Sequence, residues 1–213
     1  MKKFLLAVFL LMLLLPSQVM AQQASEQTQS NDPAAAQEAQ PLKVAVMPII
    51  ADGYPKVQEQ LYRDLTRQMS LSLNKTLNQA EYLEGEPVMT AMAESGFLYD
   101  QNKAALKHTA DLLGADVIVG YSVPAMYQQY YYAWIGRGEG PVLQSYIRLK
   151  LWAYYKPLDK VIVLSNTQQY FDHASTAGML PSLASDASYT LTKKADLKNL
   201  LKESIQIKKG EIK

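Results

Sequence analysis

Residues 105–123 read ALKHTADLLGADVIVGYSV, an amphipathic segment followed by an apolar one. Small or apolar residues recur at steps of three and four, which predicts a helix with one buried face. The residues of that face are Leu106, Thr109, Ala110 and Leu113. We expect Asp100 to cap the start of this helix and Gly114 to end it in the left-handed conformation. The Val-Ile-Val run after Asp116, which is interpreted as a turn residue, predicts a buried strand. The stretch therefore indicates an α/β layer in which the helix packs on its sheet.

The first forty residues are expected to lie outside the folded domain. Lys2 and Lys3 precede twelve apolar residues and Pro16, and a small-residue site ends at Ala21. This pattern is typical of a secretory signal peptide over residues 1–21, cleaved after Ala21. The alternative, an uncleaved anchor, would need about 20 apolar residues to span a bilayer. Residues 22–40 are mostly Gln, Ala and Ser and predict a disordered tether. We expect an exported protein, most simply periplasmic, with one domain over 41–213.

Composition excludes several classes of function. The chain has no cysteine, so it has neither a disulfide framework nor a lipid-modified cysteine. Without Lys2 and Lys3, 19 basic residues face 20 acidic ones, a balance that gives no electrostatic argument for nucleic acid. The last 21 residues hold seven lysines and three acids, which predicts a solvated helix face or a site for an acidic partner.

The remaining pattern predicts a single mixed β-sheet of about five strands flanked by helices, with a long antiparallel hairpin and a C-terminal helix. The predicted elements of the first half are a strand over 42–50, a long helix over 57–77, a strand over 81–83 and a short helix from Pro87 to Gly96. After the opening helix come a strand over 116–123, a loop over 124–142, a strand from 143 with one buried face, and its hairpin partner over 161–171. The chain then forms one helix from 178, or two helices broken near Thr190. The fold class is therefore α/β.

Two stretches resemble a known periplasmic family. They are VAVMP at 44–48 and ADLLGADVIVG at 110–120, and the strand over 146–155 followed by 160–165 agrees with the last hairpin of that family. The chain resembles the α/β domain shared by the curli-secretion-channel lipoproteins, the penicillin-binding-protein activator lipoproteins and the amino-terminal domain of TolB. The resemblance implies a non-catalytic envelope protein that acts through protein contacts. It does not imply outer-membrane anchoring, because the lipid-bearing cysteine is missing.

No arrangement of residues indicates catalysis, a cofactor or a metal. The only histidines are His108 and His173, and with no cysteine they cannot form the usual zinc clusters. Ser72 and Lys75 have the Ser-x-x-Lys spacing but lack the partner motifs that this chemistry needs. The glycines at 136–140 precede a strand rather than a helix, so a phosphate loop is not indicated. We predict that the protein is not an enzyme.

An aromatic segment after residue 123 is the strongest functional signal. Its predicted partner-binding residues are Tyr127, Tyr130, Tyr131, Tyr132 and Trp134. Fully exposed, five such side chains would exceed the largest apolar patch of an ordinary monomer. They are expected to pack on the protein's own sheet, to form a surface for an envelope protein or for self-association, or to contact glycan or lipid.

A second hypothesis places a small-ligand or cell-wall glycan site at the carboxyl ends of the strands 44–50 and 117–123. Open α/β sheets tend to bind ligands at that edge. Asp52, Tyr54, Tyr121 and Ser122 would line this site.

Overall fold

The structure is a computed structural model that describes residues 41–51, 55–73, 80–132 and 140–210, without the side chains of 55–58. The signal peptide and tether predicted for residues 1–40 lie outside the described residues, and so does residue 134 of the aromatic segment. The helices are α1 (Pro55–Leu73), α2 (Glu86–Glu94), α3 (Lys103–Leu112), α4 (Leu180–Ala195) and α5 (Leu197–Lys208). The strands are β1 (Leu42–Val46), β2 (Ile50–Ala51), β3 (Ala80–Leu83), β4 (Val117–Tyr131), β5 (Val142–Tyr155) and β6 (Lys160–His173).

The strands form one mixed sheet in the order β3-β1-β4-β5-β6, with the short β2 paired to β4. β1 runs parallel to both β3 and β4, and β2 runs parallel to β4, whereas β5 is antiparallel to both β4 and β6. The predicted α/β class, the single mixed sheet and the long hairpin are confirmed. Within the described residues, no helix is both long enough and apolar enough to cross a membrane.

Each face of the sheet carries its own hydrophobic core. Leucines of α1, α4 and α5 cover one face, where they pack with Val117, Val119, Ile147 and Leu149. The other face is covered by α2, α3 and the intervening Phe97, which pack against Ile118, Trp152 and Tyr154. The second core is smaller because it reaches only the end of β5 that precedes the hairpin turn.

The junction between α3 and β4 has the predicted form with one correction. Asn102, not Asp100, caps α3, because the Asn102 Oδ1 accepts a hydrogen bond of 2.9 Å from the Ala105 N–H. The Asp100 carboxylate instead accepts a bond from the Asn102 side-chain amide at 2.7 Å. Gly114 ends the helix at φ 57°, as predicted, and the next N–H, that of Ala115, bonds to the Ala110 carbonyl at 2.9 Å.

The predicted strand over 42–50 is two strands, β1 and β2, separated by Met47, Pro48 and Ile49. Pro48 has no N–H to donate to a ladder, which explains the interruption. The Met47 N–H still reaches the Val119 carbonyl at 2.8 Å. A Cβ atom at Gly120 would lie 2.6 Å from the Met47 Cβ, so only glycine allows this close approach.

The predicted loop over 124–142 is wrong for its first half. β4 continues to Tyr131 and pairs with β5 as far as Val142, after a register shift between Ser122 and Ala125. Pro124 lies in this β-bulge, a position where a strand accommodates proline. The bulge extends the strand into a longer hairpin than the sequence predicts.

Two further expectations need correction. β5 does not have one buried face throughout, because Trp152 and Tyr154 are buried under the second core while Leu151 and Ala153 are buried under the first. The sequence allowed one C-terminal helix or two, and the structure has two. The break between them is at Asp196 rather than near Thr190. Asp196 has a left-handed φ of 51°, which ends α4 and starts α5.

Replacing Tyr155 by phenylalanine is expected to raise the free energy of unfolding by about 1 kcal/mol. The Tyr155 hydroxyl is buried and has no hydrogen-bond partner among the described residues, so its removal relieves a desolvation cost. Burial, and then the charge of Asp196, raise the pKa of Tyr155. Urea denaturation at pH 7 measures the change, and Tyr189→Phe on the exposed side of α4 is the matched control. A loss of stability in Tyr155→Phe would contradict the prediction.

Candidate interaction surface

Beyond the bulge, β4, β5 and β6 form a three-stranded antiparallel sheet with one face that no described helix covers. The register places Tyr127 opposite Tyr146 and Gln129 opposite Gln144, which in turn lies opposite Phe171. We call this surface the aromatic face. It consists of Tyr127, Gln129, Tyr131, Gln144, Tyr146 and Phe171. Phe171 is 70% exposed and Tyr131 is 42% exposed, so the rings present contact area to solvent.

The aromatic face is held in place by cross-strand contacts. Tyr127 stacks on Tyr146, with ring centroids 5.4 Å apart and planes 6° apart, and Tyr131 meets Phe171 edge to face at 6.4 Å. The Tyr131 hydroxyl donates to the Gln144 Oε1 at 2.7 Å, and the Gln144 Nε2 donates to the Tyr127 hydroxyl at 3.2 Å. Gln129 Nε2 also bonds to the Tyr131 hydroxyl. These contacts hold the rings in defined orientations.

The opposite face of the same three strands is covered by the start of α4. Leu143 and Ile147 are fully buried there, and the Gln128 Oε1 accepts a bond from the Leu180 N–H at 3.0 Å. Tyr130 belongs to this face, where its hydroxyl lies 3.6 Å from the Met179 sulfur. The structure therefore separates Tyr130 from the aromatic face, although the ring of Tyr130 remains 45% exposed.

The four predicted partner-binding residues that the structure describes accordingly fall into three groups. Tyr127 and Tyr131 lie together on the aromatic face, and Tyr130 lies on the other side of the sheet. Tyr132 follows the end of β4 and is 81% exposed. Trp134 lies outside the described residues. Up to Tyr131 the segment is itself part of the sheet and does not fold back onto it.

Sequence reasoning missed Gln144, Tyr146 and Phe171, which complete the aromatic face. The alternation of β5 carried the signal: Gln144 and Tyr146 alternate with the buried Leu143, Ser145 and Ile147. Their neighbours across the strands could be named only once the register was known.

Basic side chains border the aromatic face where the second core begins. The Lys150 ammonium lies 3.9 Å from the centroid of the Trp152 ring, a cation–π contact. Burial, and then the nearby Arg148, lower the pKa of Lys150. Arg148 is exposed and its Nε donates to the Ser165 hydroxyl at 3.4 Å. The described strand positions of this face carry no acidic residue, so its edge is positively charged.

A small cavity lies beside the ligand site of the second hypothesis. The cavity holds about 180 Å³ at the carboxyl ends of β1 and β3, and its lining includes Met47, Leu65, Met69 and Tyr121. Pockets for drug-sized ligands usually hold about 300–1,000 Å³. Of the four residues predicted to line the site, Tyr121 does so. Ser122 is buried and accepts the Trp152 Nε1–H at 3.1 Å, and Asp52 and Tyr54 lie outside the described residues.

The other chemical motifs are not assembled into a site within the described residues. His108 is exposed, and Asp172 Oδ1 accepts a bond from the backbone N–H of His173 rather than from its ring. The Ser72 hydroxyl donates to the Gln68 carbonyl at 2.8 Å, as a helix-surface serine does. Lys75 and residues 136–139 lie outside the described ranges. Among the residues described, no group of three or more His, Cys, Asp or Glu side chains could hold a metal ion.

Comparison with known proteins adds no family. No family model matches the chain, and no curated protein matches it. Among solved structures, the chain is similar to lipoprotein GNA1162 from Neisseria meningitidis, with 12% identity over 73% of this chain and 99% of that one, and a TM-score of 0.40. PelC from Paraburkholderia phytofirmans, described as a dodecamer, has 12% identity, a TM-score of 0.38 and coverage of 71% and 87%.

The C-terminal domain of LpoB from Salmonella enterica is a more distant match. Its identity is 11%, its TM-score is 0.32, and the alignment covers 61% of this chain and 82% of that one. At such TM-scores these similarities carry no argument about activity or partners. The family resemblance drawn from residues 44–48 and 110–120 therefore stays a prediction.

Proposed function

We propose that this chain is an exported, non-catalytic envelope protein that acts through protein–protein contacts made by the aromatic face. The observation that supports the proposal most is the position of Tyr127, Tyr131 and Phe171 on a sheet face that no described helix covers. Signal-peptide character in residues 1–21 supports export, and the absence of a nucleophile–base arrangement in the sequence supports a non-catalytic role.

The chemistry of the aromatic face suits a protein partner. Tyrosine, phenylalanine and arginine are enriched at protein interfaces. The stacked Tyr127–Tyr146 pair and the Gln144 hydrogen bonds hold the rings in single orientations, so binding would cost little side-chain entropy. Arg148 and Lys150 at the border favour a partner with acidic groups. The cavity beside Tyr121 is the weaker candidate, because its volume of about 180 Å³ is too small for a muropeptide.

Photocrosslinking in the cell tests the proposal. A benzophenone amino acid at position 127, on the aromatic face, is expected to give an adduct of discrete mass with an envelope protein. The matched positions are Tyr99, which is 85% exposed after α2, and Tyr189, which is 58% exposed on α4. Neither is expected to give that adduct, because both lie away from the aromatic face.

A second variant links the adduct to the side chains of the aromatic face. Tyr131→Ser removes the edge-to-face contact and the bond to Gln144, and is expected to lower the yield of adduct at position 127 at least fivefold. Mass spectrometry identifies the crosslinked molecule. Equal yields from positions 99 or 189, or an adduct that carries glycan instead of protein, would overturn the proposal.

A further inference from the structure

β6 is a long edge strand, and among the described residues its middle part, 161–171, has none of the usual protection against pairing. It is the last strand of the sheet and pairs with β5 in continuous register from Lys160 to His173, without a bulge. Residues 161–171, VIVLSNTQQYF, contain no charge, no proline and no glycine. Native edge strands are normally shortened, bulged or charged, because an open ladder recruits another strand. Within the described ranges, the other long unpaired strand edge is residues 125–131 of β4, which is half the length of β6 and follows the Pro124 bulge.

The backbone groups that point away from the sheet can be assigned. The Ala174 N–H donates to the Pro141 carbonyl at 3.0 Å, which makes this pair a hydrogen-bonded pair of the β5–β6 ladder. Such pairs alternate along antiparallel strands, so even-numbered residues of β6 bond to β5. The odd-numbered residues direct their N–H and C=O groups to the free edge. His173 agrees, since its N–H bonds to Asp172 and its carbonyl accepts from the Tyr170 hydroxyl.

We propose that two copies of this chain pair through their β6 edges, antiparallel, around a two-fold axis at Asn166. With this register, a residue of one copy faces the residue of the other copy for which the two residue numbers add up to 332. Odd residues face odd residues, so the outward groups from Val161 to Phe171 all find partners. The six residues Val161, Val163, Ser165, Thr167, Gln169 and Phe171 supply these groups in each copy.

Charge complementarity selects this register. Lys160 of one copy faces Asp172 of the other, and the symmetry makes this pair twice. A shift of the axis by one residue, to Ser165 or Thr167, places Lys160 opposite Tyr170 or Ala174 and loses both pairs. Phe171, which is 70% exposed, faces the half-buried Val161 on the same side of the sheet. An interface of this kind is self-complementary and closes as a dimer. It also leaves both aromatic faces on one side of a continuous sheet.

A single cysteine tests the axis, because the chain has none of its own. Asn166→Cys places two sulfurs across a non-hydrogen-bonded pair, where Cα atoms lie about 4.5 Å apart, within the range that a disulfide spans. We expect the full-length exported protein to run as a dimer in light scattering and this variant to form a disulfide-linked dimer in air. Gln169→Cys on the same strand is the control, since its symmetry mate would lie about 20 Å away.

Charge exchange tests the register. Lys160→Glu is expected to raise the dimer dissociation constant about tenfold, because it faces the like charge of Asp172 twice. The double variant Lys160→Glu with Asp172→Lys is expected to restore the wild-type constant. Lys194→Glu, on the exposed side of α4, makes the same charge change away from the edge and is expected to leave the constant unchanged.

Three results would overturn the proposal. One is a monomer at all concentrations in which neither cysteine crosslinks. Another is crosslinking of Gln169→Cys as readily as Asn166→Cys, which indicates a different contact. The third is a monomer whose Val163 and Thr167 amides are protected from hydrogen exchange, since another segment of the same chain would then occupy the edge. Adduct formation at position 127 is measured separately on β4, so failure of either proposal leaves the other distinguishable.

Discussion

Replacing Trp152 by alanine is expected to lower the free energy of unfolding by about 3–5 kcal/mol, the largest effect of any single change proposed. Trp152 is 2% exposed and lies in the smaller core, where Phe97 contacts its ring edge to face at 5.4 Å. Its Nε1–H donates to the buried Ser122 hydroxyl at 3.1 Å. Alanine would leave a cavity and also remove the hydrogen-bond donor for Ser122.

The contributions of packing and hydrogen bonding can be separated. Trp152→Phe keeps most of the ring but removes the N–H, and is expected to cost about 1–2 kcal/mol. Adding Ser122→Ala to Trp152→Phe should recover part of that loss, because both partners of the bond are then absent. Chemical denaturation followed by circular dichroism measures all three variants. A cost below 1 kcal/mol for Trp152→Ala would show that α2 and α3 do not form a cooperative core with β5.

Replacing Asp116 by alanine is expected to lower the free energy of unfolding by about 2–3 kcal/mol. The Asp116 Oδ2 accepts a bond from the Lys43 N–H at 2.8 Å and from the Lys208 ammonium at 2.5 Å. Lys208 also donates to the Pro41 carbonyl at 3.1 Å, so one carboxylate joins the starts of β1 and β4 to the end of α5. Hydrogen bonds to charged groups contribute about 1.5–3 kcal/mol when they are shielded from water.

Two further substitutions separate the contribution of the hydrogen bond to Lys43 from that of the ion pair with Lys208. Asp116→Asn retains an acceptor for the Lys43 N–H but not the charge that pairs with Lys208, and is expected to lose about half of the stability lost in Asp116→Ala. Lys208→Met removes the ion pair alone and keeps the aliphatic part of the side chain. Equilibrium unfolding in urea gives the comparison. If Asp116→Ala is as stable as the wild type, these bonds do not hold α5 to the sheet.

The architecture could be predicted because it depends on local patterns. Gly114 ends α3 where the sequence placed it, and the alternation from Leu143 to Tyr155 identified β5. Asp116 is a structural residue, as its position at the turn suggested. Its partners Lys43 and Lys208 could not be predicted, because they are separated from it by 73 and 92 residues.

The candidate surface was predicted only in part, for two physical reasons. Tyr127 and Tyr131 stand out by composition, but Gln144, Tyr146 and Phe171 join them through a register that no local pattern encodes. Residues 124–142 were predicted as a loop that begins at Pro124. The structure accommodates that proline in a bulge, so the strand continues.

The bulge at Pro124 also sets which side chains the hairpin shows to solvent. Before it, odd-numbered residues of β4 such as Tyr121 and Val123 point to the larger core, whereas after it the even-numbered Met126 does. The bulge thus reverses which residues of β4, odd-numbered or even-numbered, point to the larger core. If the same residues continued in regular pairing without the bulge, Tyr127 and Tyr131 would point against α4 and Met126 would be exposed instead. The bulge, more than the identity of any one tyrosine, therefore decides that these aromatic side chains face solvent.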